Sequence, residues 1–228
     1  MSIKSFFIAT LPVLGLGCSL PALADWQGNL TASSDYLFNG VSQTLNRPAL
    51  QGGVTYNFSN GLYVGGWTSN VDYDEGTKRE LDGYIGYFWT LSDDFSVDLM
   101  FSQYTYHGRG YSSDLNFPEL SLKLAYGNWG FNSWYTWDYF GFGGDHYVFQ
   151  LSRTLPLSDN WSLFAAVDTS ITGDKAAWDW EGKSSFWHGQ LMLQTRWQSI
   201  DIAFGYHMTT LKEKWGRDTL LLQLAYNF

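Results

Sequence analysis

Seven carboxylates against two permanent cations recur at alternate positions of otherwise apolar segments in this 228-residue chain. The acids are Asp35, Asp82, Asp98, Glu119, Asp138, Asp168 and Asp201, and the cations are Lys123 and Arg196. Gln51, Thr55, Gln150, Gln190, Gln194, Gln223, His146, His188 and His207 fall in the same phase. A dry core cannot hold so much charge of one sign, because unpaired buried carboxylates are expensive. These side chains are therefore expected to face water or one another, lining a wet lumen that favours cations. Tyr84, Phe88, Tyr104, Trp134, Phe164 and Met192 share the phase and would narrow that lumen, as filling or as stacking surfaces for a small organic solute.

Other chemistry is poorly provided for. His107, His146, His188 and His207 lie on four different segments with no His-x-x-x-His pair, so no metal site or other cofactor is expected. A lipid hydrolase of barrel type is the enzymatic rival, with His188 near Ser184 and Ser185, or His207 near Thr209, as candidate remnants of a dyad. No Gly-x-Ser-x-Gly elbow accompanies them, and the expectation is that the chain is not an enzyme.

The alternation that sets this phase has period two and is broken about every ten residues by Gly, Asn, Asp or Ser, which is a strand pattern. It predicts twelve strands, at roughly 26–38, 49–58, 62–73, 81–91, 95–106, 118–126, 129–140, 146–155, 161–171, 186–197, 200–210 and 219–228. Each has about the length with which a tilted strand crosses a membrane. Five short connections alternate with six longer ones, at 39–48, 74–80, 107–117, 141–145, 172–185 and 211–218, the layout of an outer-membrane barrel. The fold class expected is all-β, a transmembrane antiparallel up-and-down barrel of about twelve strands.

Register then assigns the opposite face to lipid: Phe95, Val97, Leu99 and Phe101, for example, or Leu120, Leu122 and Leu124. Trp26, Phe58, Trp89, Tyr126, Trp129, Trp161 and Trp197 fall near the short-turn ends, and Phe38, Tyr73, Tyr139, Trp187 and Tyr206 near the long-loop ends, as two aromatic girdles. The last strand carries Leu220, Leu222, Leu224, Tyr226 and Phe228 on one face, a stripe ending on an aromatic that resembles the signal read by the outer-membrane assembly machinery. Loop 172–185, with Asp174, Lys175, Trp178, Asp179, Trp180, Glu181 and Lys183, is expected to be a solvated external loop, with covering of the mouth as the alternative.

Composition agrees with export. Lys4, an apolar stretch from Phe6 to Leu20 and Ala22-Leu23-Ala24 form a signal peptide over residues 1–24, leaving 25–228 as the barrel. A lipoprotein reading at Cys18 competes with that cleavage site. Loss of Lys4 moves the net charge from −9 to −10, and so acidic a chain is no partner for nucleic acid. The expected location is the bacterial outer membrane, with its lipids, the assembly machinery and small hydrophilic solutes as partners.

The N-terminal third resembles a known family. Ala32 to Thr44 (ASSDYLFNGVSQT), then Asn46 to Gly53 (NRPALQGG), Gly61 to Val71 (GLYVGGWTSNV) and Glu80 to Tyr87 (ELDGYIGY) are similar to the TorF family of porin-like proteins, also known as a bacterial family of unknown function. The family usually has a basic residue where Asn39 stands. The resemblance implies an outer-membrane barrel with no established substrate. Read on its own residues, this stretch gathers Asp35, Asn39, Gln43 and Arg47 near the outer mouth, where Arg47 could pair with Asp35, either as a hydrogen-bonded plug or as a solute site. The function expected is passive diffusion of small hydrophilic solutes, cations preferred. A closed structural or adhesion barrel is the alternative.

Overall fold

The computed structural model describes residues 25–73, 76–213 and 215–228. The signal-peptide segment 1–24 lies outside the described residues. Among these, twelve strands close into one antiparallel barrel: β1 (Asp25–Ser33), β4 (Ala49–Asn57), β5 (Leu62–Asn70), β6 (Thr77–Ser92), β7 (Phe95–Gly108), β8 (Phe117–Tyr126), β9 (Trp129–Thr136), β10 (His146–Pro156), β11 (Trp161–Thr172), β12 (Ser185–Trp197), β13 (Ile200–Thr209) and β14 (Thr219–Asn227). Each pairs with its sequence neighbours, and β1 joins β14 to close the ring. Two remaining strands, β2 (Leu37–Phe38) and β3 (Val41–Ser42), form a small hairpin of their own. No helix among the described residues is long and apolar enough to cross a membrane.

The two faces differ as period-two alternation requires. Leu151 on β10 is exposed on the outside opposite Val167 and Phe131, while its neighbours Gln150 and Ser152 are buried inside. The same holds on β14, where Leu220, Leu222, Leu224 and Tyr226 are exposed and Leu221 and Ala225 buried. Short connections, at 58–61, 93–94, 127–128, 157–160 and 198–199, occupy one end of the barrel and longer ones the other. Trp26, Phe58, Trp89, Tyr126, Trp129, Trp161 and Trp197 are exposed at the short-turn end, and Trp187 and Tyr206 at the other.

Three expectations are corrected. The first strand ends at Ser33 instead of running to 38, because Asn39 (φ 48°) and Gly40 (φ 81°) take the paired positive φ values of a two-residue hairpin turn and fold the chain back. The strand starting at 129 stops at Thr136, and a 3-10 turn over Tyr139–Gly141 follows. Phe38 and Tyr139 are consequently buried inside and Tyr73 packs on Tyr106 and Phe140, so none of the three belongs to a girdle.

Two glycines on the inner wall make room for tyrosines from the neighbouring strand. A Cβ on Gly86 would stand 2.3 Å from the Tyr63 ring and 2.9 Å from the Leu99 carbonyl oxygen, and one on Gly65 would meet Tyr84 at 2.3 Å. Gly83, on the outer face, has nothing within 4 Å of such a Cβ. Gly86→Ala should therefore destabilise the barrel by about 1–3 kcal/mol, the usual cost of overpacking, and Gly83→Ala should be near neutral. Urea titration of the folded variants checks this; equal midpoints would show that Tyr63 is free to move.

Candidate functional site

The interior of the barrel holds the chemistry, and its first component is the segment between β1 and β4. Residues 34–48 fold inwards and cross the interior: Tyr36 meets Trp67 edge-on, Phe38 meets Tyr104, and Leu37 packs against Phe164, Met192, Ala203 and Leu221. Gly40 lies so close to His188 that a Cβ there would stand 2.6 Å from the ring. Asp35 organises the hairpin, its Oδ1 accepting from Ser42 Oγ (2.7 Å) and Thr44 Oγ1 (2.8 Å). Arg47 pairs with Asp72 (2.6 Å), not with Asp35 as the sequence suggested, because it sits on the exposed limb of the loop beside Lys78. Asn39 is buried, with Oδ1 unpartnered, and Gln43 accepts from the Tyr73 hydroxyl while its carbonyl accepts from the Asp72 amide (2.8 Å).

A wall of carboxylates and tyrosines faces this hairpin. Tyr63 Oη donates to Asp98 Oδ1 (2.6 Å), Tyr104 Oη to Glu119 Oε1 (2.8 Å) and Tyr106 Oη to Glu80 Oε1 (3.4 Å). Asp82 lies on β6 between Glu80 and Tyr84, and Lys123 is half-buried opposite Asp98. Glu80 stands one residue ahead of the strand that the sequence pattern predicts from 81; the Glu80, Asp82, Tyr84 alternation carries the signal, and the register shift between Thr77 and Arg79 obscures it.

Across the interior runs a row of donors and acceptors. Gln150 Nε2 (3.2 Å) and His188 Nδ1 (2.8 Å) both contact Asp168 Oδ2, and His188 Nε2 lies 3.0 Å from His207 Nδ1. His188 thus bridges Asp168 and His207, one ring nitrogen to each. Among the described residues no hydrogen bond joins Ser184, Ser185 or Thr209 to the ring nitrogens of His188 or His207, and Thr209 Oγ1 accepts from the Leu211 amide (3.3 Å). Gln51, Gln190 and Gln194 are buried on the inner face, and Gln223 is half-buried there.

The two ends differ. At the short-turn end Arg196 grips Asp201 through two contacts, one of 2.6 Å, and Asn227 Nδ2 donates to the same carboxylate (2.8 Å), around half-exposed polar side chains. At the long-loop end aromatic rings cap the barrel. Trp180 is 1% exposed and packs on Phe186, Trp178, Tyr139 and Trp215, while His146 stacks on Tyr139 at 3.9 Å. Loop 172–185 thus covers the mouth with its tryptophans and keeps Asp174, Lys175, Asp179 and Lys183 in solvent. Asp138 belongs to this end, half-buried in a loop with Oδ1 accepting from the Gly143 amide (2.8 Å), and is not on a strand as expected. The wet lumen expected along the whole barrel is corrected likewise: its middle is packed, with Asp82, Asp98, Glu119 and Asp168 all buried.

The cap is tied to its neighbour by one carboxylate. Glu181 Oε1 accepts from the amides of Lys212 (2.6 Å) and Glu213 (2.8 Å), from a tight turn in which Glu181 (φ 54°) and Gly182 (φ 79°) both have positive φ. The Lys212 amide above all, with that of Glu213, holds the Glu181 carboxyl below the usual glutamate range. A carboxylate lowered in the folded state contributes stability that is full above its unfolded pKa near 4.5 and is lost as pH falls through the lower folded value. Amide protection at Lys212 and Glu213 should hold at pH 6 and fall on acidification below about pH 4. Glu181→Gln should remove that pH dependence, and protection that stays flat in the wild-type chain would show that the bond does not hold the loop.

Comparison with known proteins places this geometry. No curated protein sequence matches the chain. Among solved structures, the KdgM porin superposes with a TM-score of 0.57 at 10% identity, over 89% of this chain and 98% of that one. The NanC porin gives 0.58 at 10% identity, over 90% and 99%. The KdgM porin in complex with disordered oligogalacturonate gives 0.56 at 10% identity, over 89% and 98%. These likenesses are of fold. The sequence itself matches one family model over residues 23–228, and the chain belongs to that family, Gcw_chp, bacterial proteins of unknown function.

Proposed function

We propose that this chain is an outer-membrane channel of porin type, passing small hydrophilic solutes by diffusion with a preference for cations, and closed in the conformation seen here both at its long-loop end and by the hairpin of residues 34–48 in its middle. One observation carries the reading: a ring of strands with leucines and aromatics outside encloses six buried carboxyl groups, Asp35, Glu80, Asp82, Asp98, Glu119 and Asp168, with half-buried Lys123 opposite Asp98 as counter-charge and no lysine or arginine among the described residues as little exposed as these acids. A soluble barrel gains nothing from that inversion, whereas a membrane pore needs an apolar exterior and a polar route through it.

The porin likeness and the TorF resemblance of residues 32–87 support the architecture. The charge argues for a different solute from the one named with KdgM. Oligogalacturonate is a string of sugar carboxylates, and the interior here would repel it. In this reading residues 1–24 direct export, the exposed aromatics meet the headgroups, and the β14 stripe ending at Phe228 is offered to the assembly machinery. Asp98, Lys123, Asp168, Gln150, Gln190, Gln194, Gln223 and the histidines line the route. A closed structural barrel is the second reading, favoured by the packing of Leu37 against Phe164 and Met192.

Planar-bilayer recording of refolded 25–228 in a salt gradient tests both. The expected result is small discrete steps with a reversal potential favouring potassium over chloride. The double variant Trp178→Ala, Trp180→Ala should raise conductance several-fold by loosening the cap, to the extent that pore width limits current. Chloride selectivity would overturn the cation preference. Silence from folded wild-type and double-variant protein alike would overturn the channel in favour of the structural barrel.

A further inference from the structure

The outer face of the barrel carries one feature that the channel reading does not require. At the long-loop end of β5, β6 and β7 three polar residues stand in one row, Asn70 paired with Arg79 and Arg79 with His107. Arg109 follows at the end of β7, its amide bonded to the Gly76 carbonyl (3.2 Å). Residues directly opposite on neighbouring strands share a face, and this row shares its face with exposed Leu81, so its side chains point away from the interior. The register shift between Thr77 and Arg79 makes Lys78 an extra residue, and Lys78 and Arg79 are both exposed while Thr77 and Glu80 on either side are buried. A bulge re-aims side chains in this way, and here it turns two consecutive cations outwards.

These cations are short of partners. Asp72 binds both Arg47 and Lys78, one carboxylate between two cations. Arg79 and Arg109 form no ion pair among the described residues, and Asp114, the next acid along the chain from Arg109, pairs with neither. Asp74 and Glu75, in the connection ahead of β6, lie outside the described residues. A chain of net charge −9 thus gathers exposed arginines on one corner of its outer wall. Directly below them the wall is apolar, with Leu81, Ile85 and Phe101 exposed. Gly66 stands opposite Gly83 on the same face, and a Cβ on Gly83 would meet nothing within 4 Å, which leaves a shallow hollow. An anionic head above and acyl chains beneath would match the two levels.

We infer that Arg79, His107 and Arg109, with Lys78 at the edge, form a docking surface for a lipid whose headgroup carries phosphate monoesters. A guanidinium presents its N–H groups as a fork that fits two phosphate oxygens at once, and the His107 ring adds a further donor. Thr105 Oγ1, 3.0 Å from His107 Nε2, positions that ring. Charge selects the class of lipid: a zwitterionic headgroup brings its own ammonium towards the arginines, whereas a phosphate monoester brings only negative charge. The acyl chains would lie along Leu81, Ile85 and the hollow at Gly66 and Gly83. The assignment rests on the outer-membrane reading, which sets this row at the level of the external headgroups where the long loops begin, and does not depend on conduction.

The test is native mass spectrometry of folded 25–228 released from zwitterionic detergent micelles that carry diphosphoryl lipid A, monophosphoryl lipid A or phosphatidylcholine. Diphosphoryl lipid A should be retained saturably, the monophosphoryl form several-fold more weakly, and phosphatidylcholine about tenfold more weakly, the scale of one charge-assisted hydrogen bond lost. The double variant Arg79→Gln, Arg109→Gln should weaken lipid A about tenfold or more, and Arg79→Lys, Arg109→Lys, which keeps the charge without the fork, by a smaller factor. Arg153→Gln, which removes a cation lying over the Trp129 ring at the short-turn end, should change nothing, and circular dichroism confirms that the variants are folded. No saturable retention, equal retention of lipid A and phosphatidylcholine, a double glutamine variant that binds as the wild type does, or an equal loss from Arg153→Gln would overturn the inference. Displacement of lipid A by inorganic phosphate at the same concentration would overturn it too, assigning the surface to the free ion. Lipid A retained by a protein silent in bilayers would uphold the surface while the channel fails; potassium conduction without lipid A retention would do the reverse.

Discussion

Closure of the strand ring is the constraint on which the rest depends. An open sheet edge leaves a row of backbone N–H and C=O groups unpaired, so each strand must find both neighbours, and the first and last strands must find each other. β1 and β14 do so from Asn29 opposite Asn227 to Ser33 opposite Gln223, and reciprocal bonds between Gly28 and Phe228, at 2.8 and 3.0 Å, extend the seam. Phe228 lies over Gly28 so closely that a Cβ there would stand 2.6 Å from its ring. Once the ring is closed, every residue has one of two environments, and Asp98 between Val97 and Leu99 has no choice but to point inwards.

Inside the ring, charge and burial are in conflict. Twelve strands enclose more space than eight, which side chains alone can fill, and here the hairpin of residues 34–48 occupies part of the difference. Filling the interior removes the water that would otherwise hydrate the carboxylates. A hydrogen bond to a charged group contributes about 1.5–3 kcal/mol, less than the several kcal/mol lost when a carboxylate is taken out of water. One tyrosine for each of Glu80, Asp98 and Glu119 therefore leaves a deficit, and the unpartnered Glu80 Oε2, Asp98 Oδ2 and, with no tyrosine of its own, Asp82 Oδ1 show where it remains. On the opposite wall Gln150 and His188 both reach Asp168 Oδ2, and its Oδ1 is left without a partner in the same way.

The wall is legible in the sequence and the contents of the barrel are not. All twelve strands emerge from period-two alternation, since apolar side chains on the outer face and polar groups on the inner leave a signal in every residue pair. Phe38 and Tyr139 mislead because aromatics near strand ends suggest a girdle only if the chain continues outwards, and both loops turn in. At 34–48 a usable signal is present: Asn39-Gly40 is the dipeptide that favours a two-residue hairpin with positive φ at both positions, as found. The Arg47 partner, Asp72, and the Glu181 contacts with Lys212 and Glu213 have no such signal, because they join loops far apart in the chain and depend on the barrel to bring them together.

The same asymmetry says where movement is possible. A strand of the wall cannot shift by one residue without turning its leucines inwards and its carboxylates outwards, so the ring is fixed by both faces at once. The inserted segments are held differently. Hairpin 34–48 has two short strands paired only with each other, and it meets the wall through Asp35, Tyr36, Leu37 and Phe38, and other loops through the bonds from the Ser42 amide to the Trp215 carbonyl and from Arg217 to Asn46. The Trp180 turn is fastened by ring packing and the Glu181 bonds. Contacts of these kinds break one at a time, whereas the ladder breaks only as a whole. Any path through the barrel must therefore open by displacement of 34–48 and 172–185 within a rigid ring.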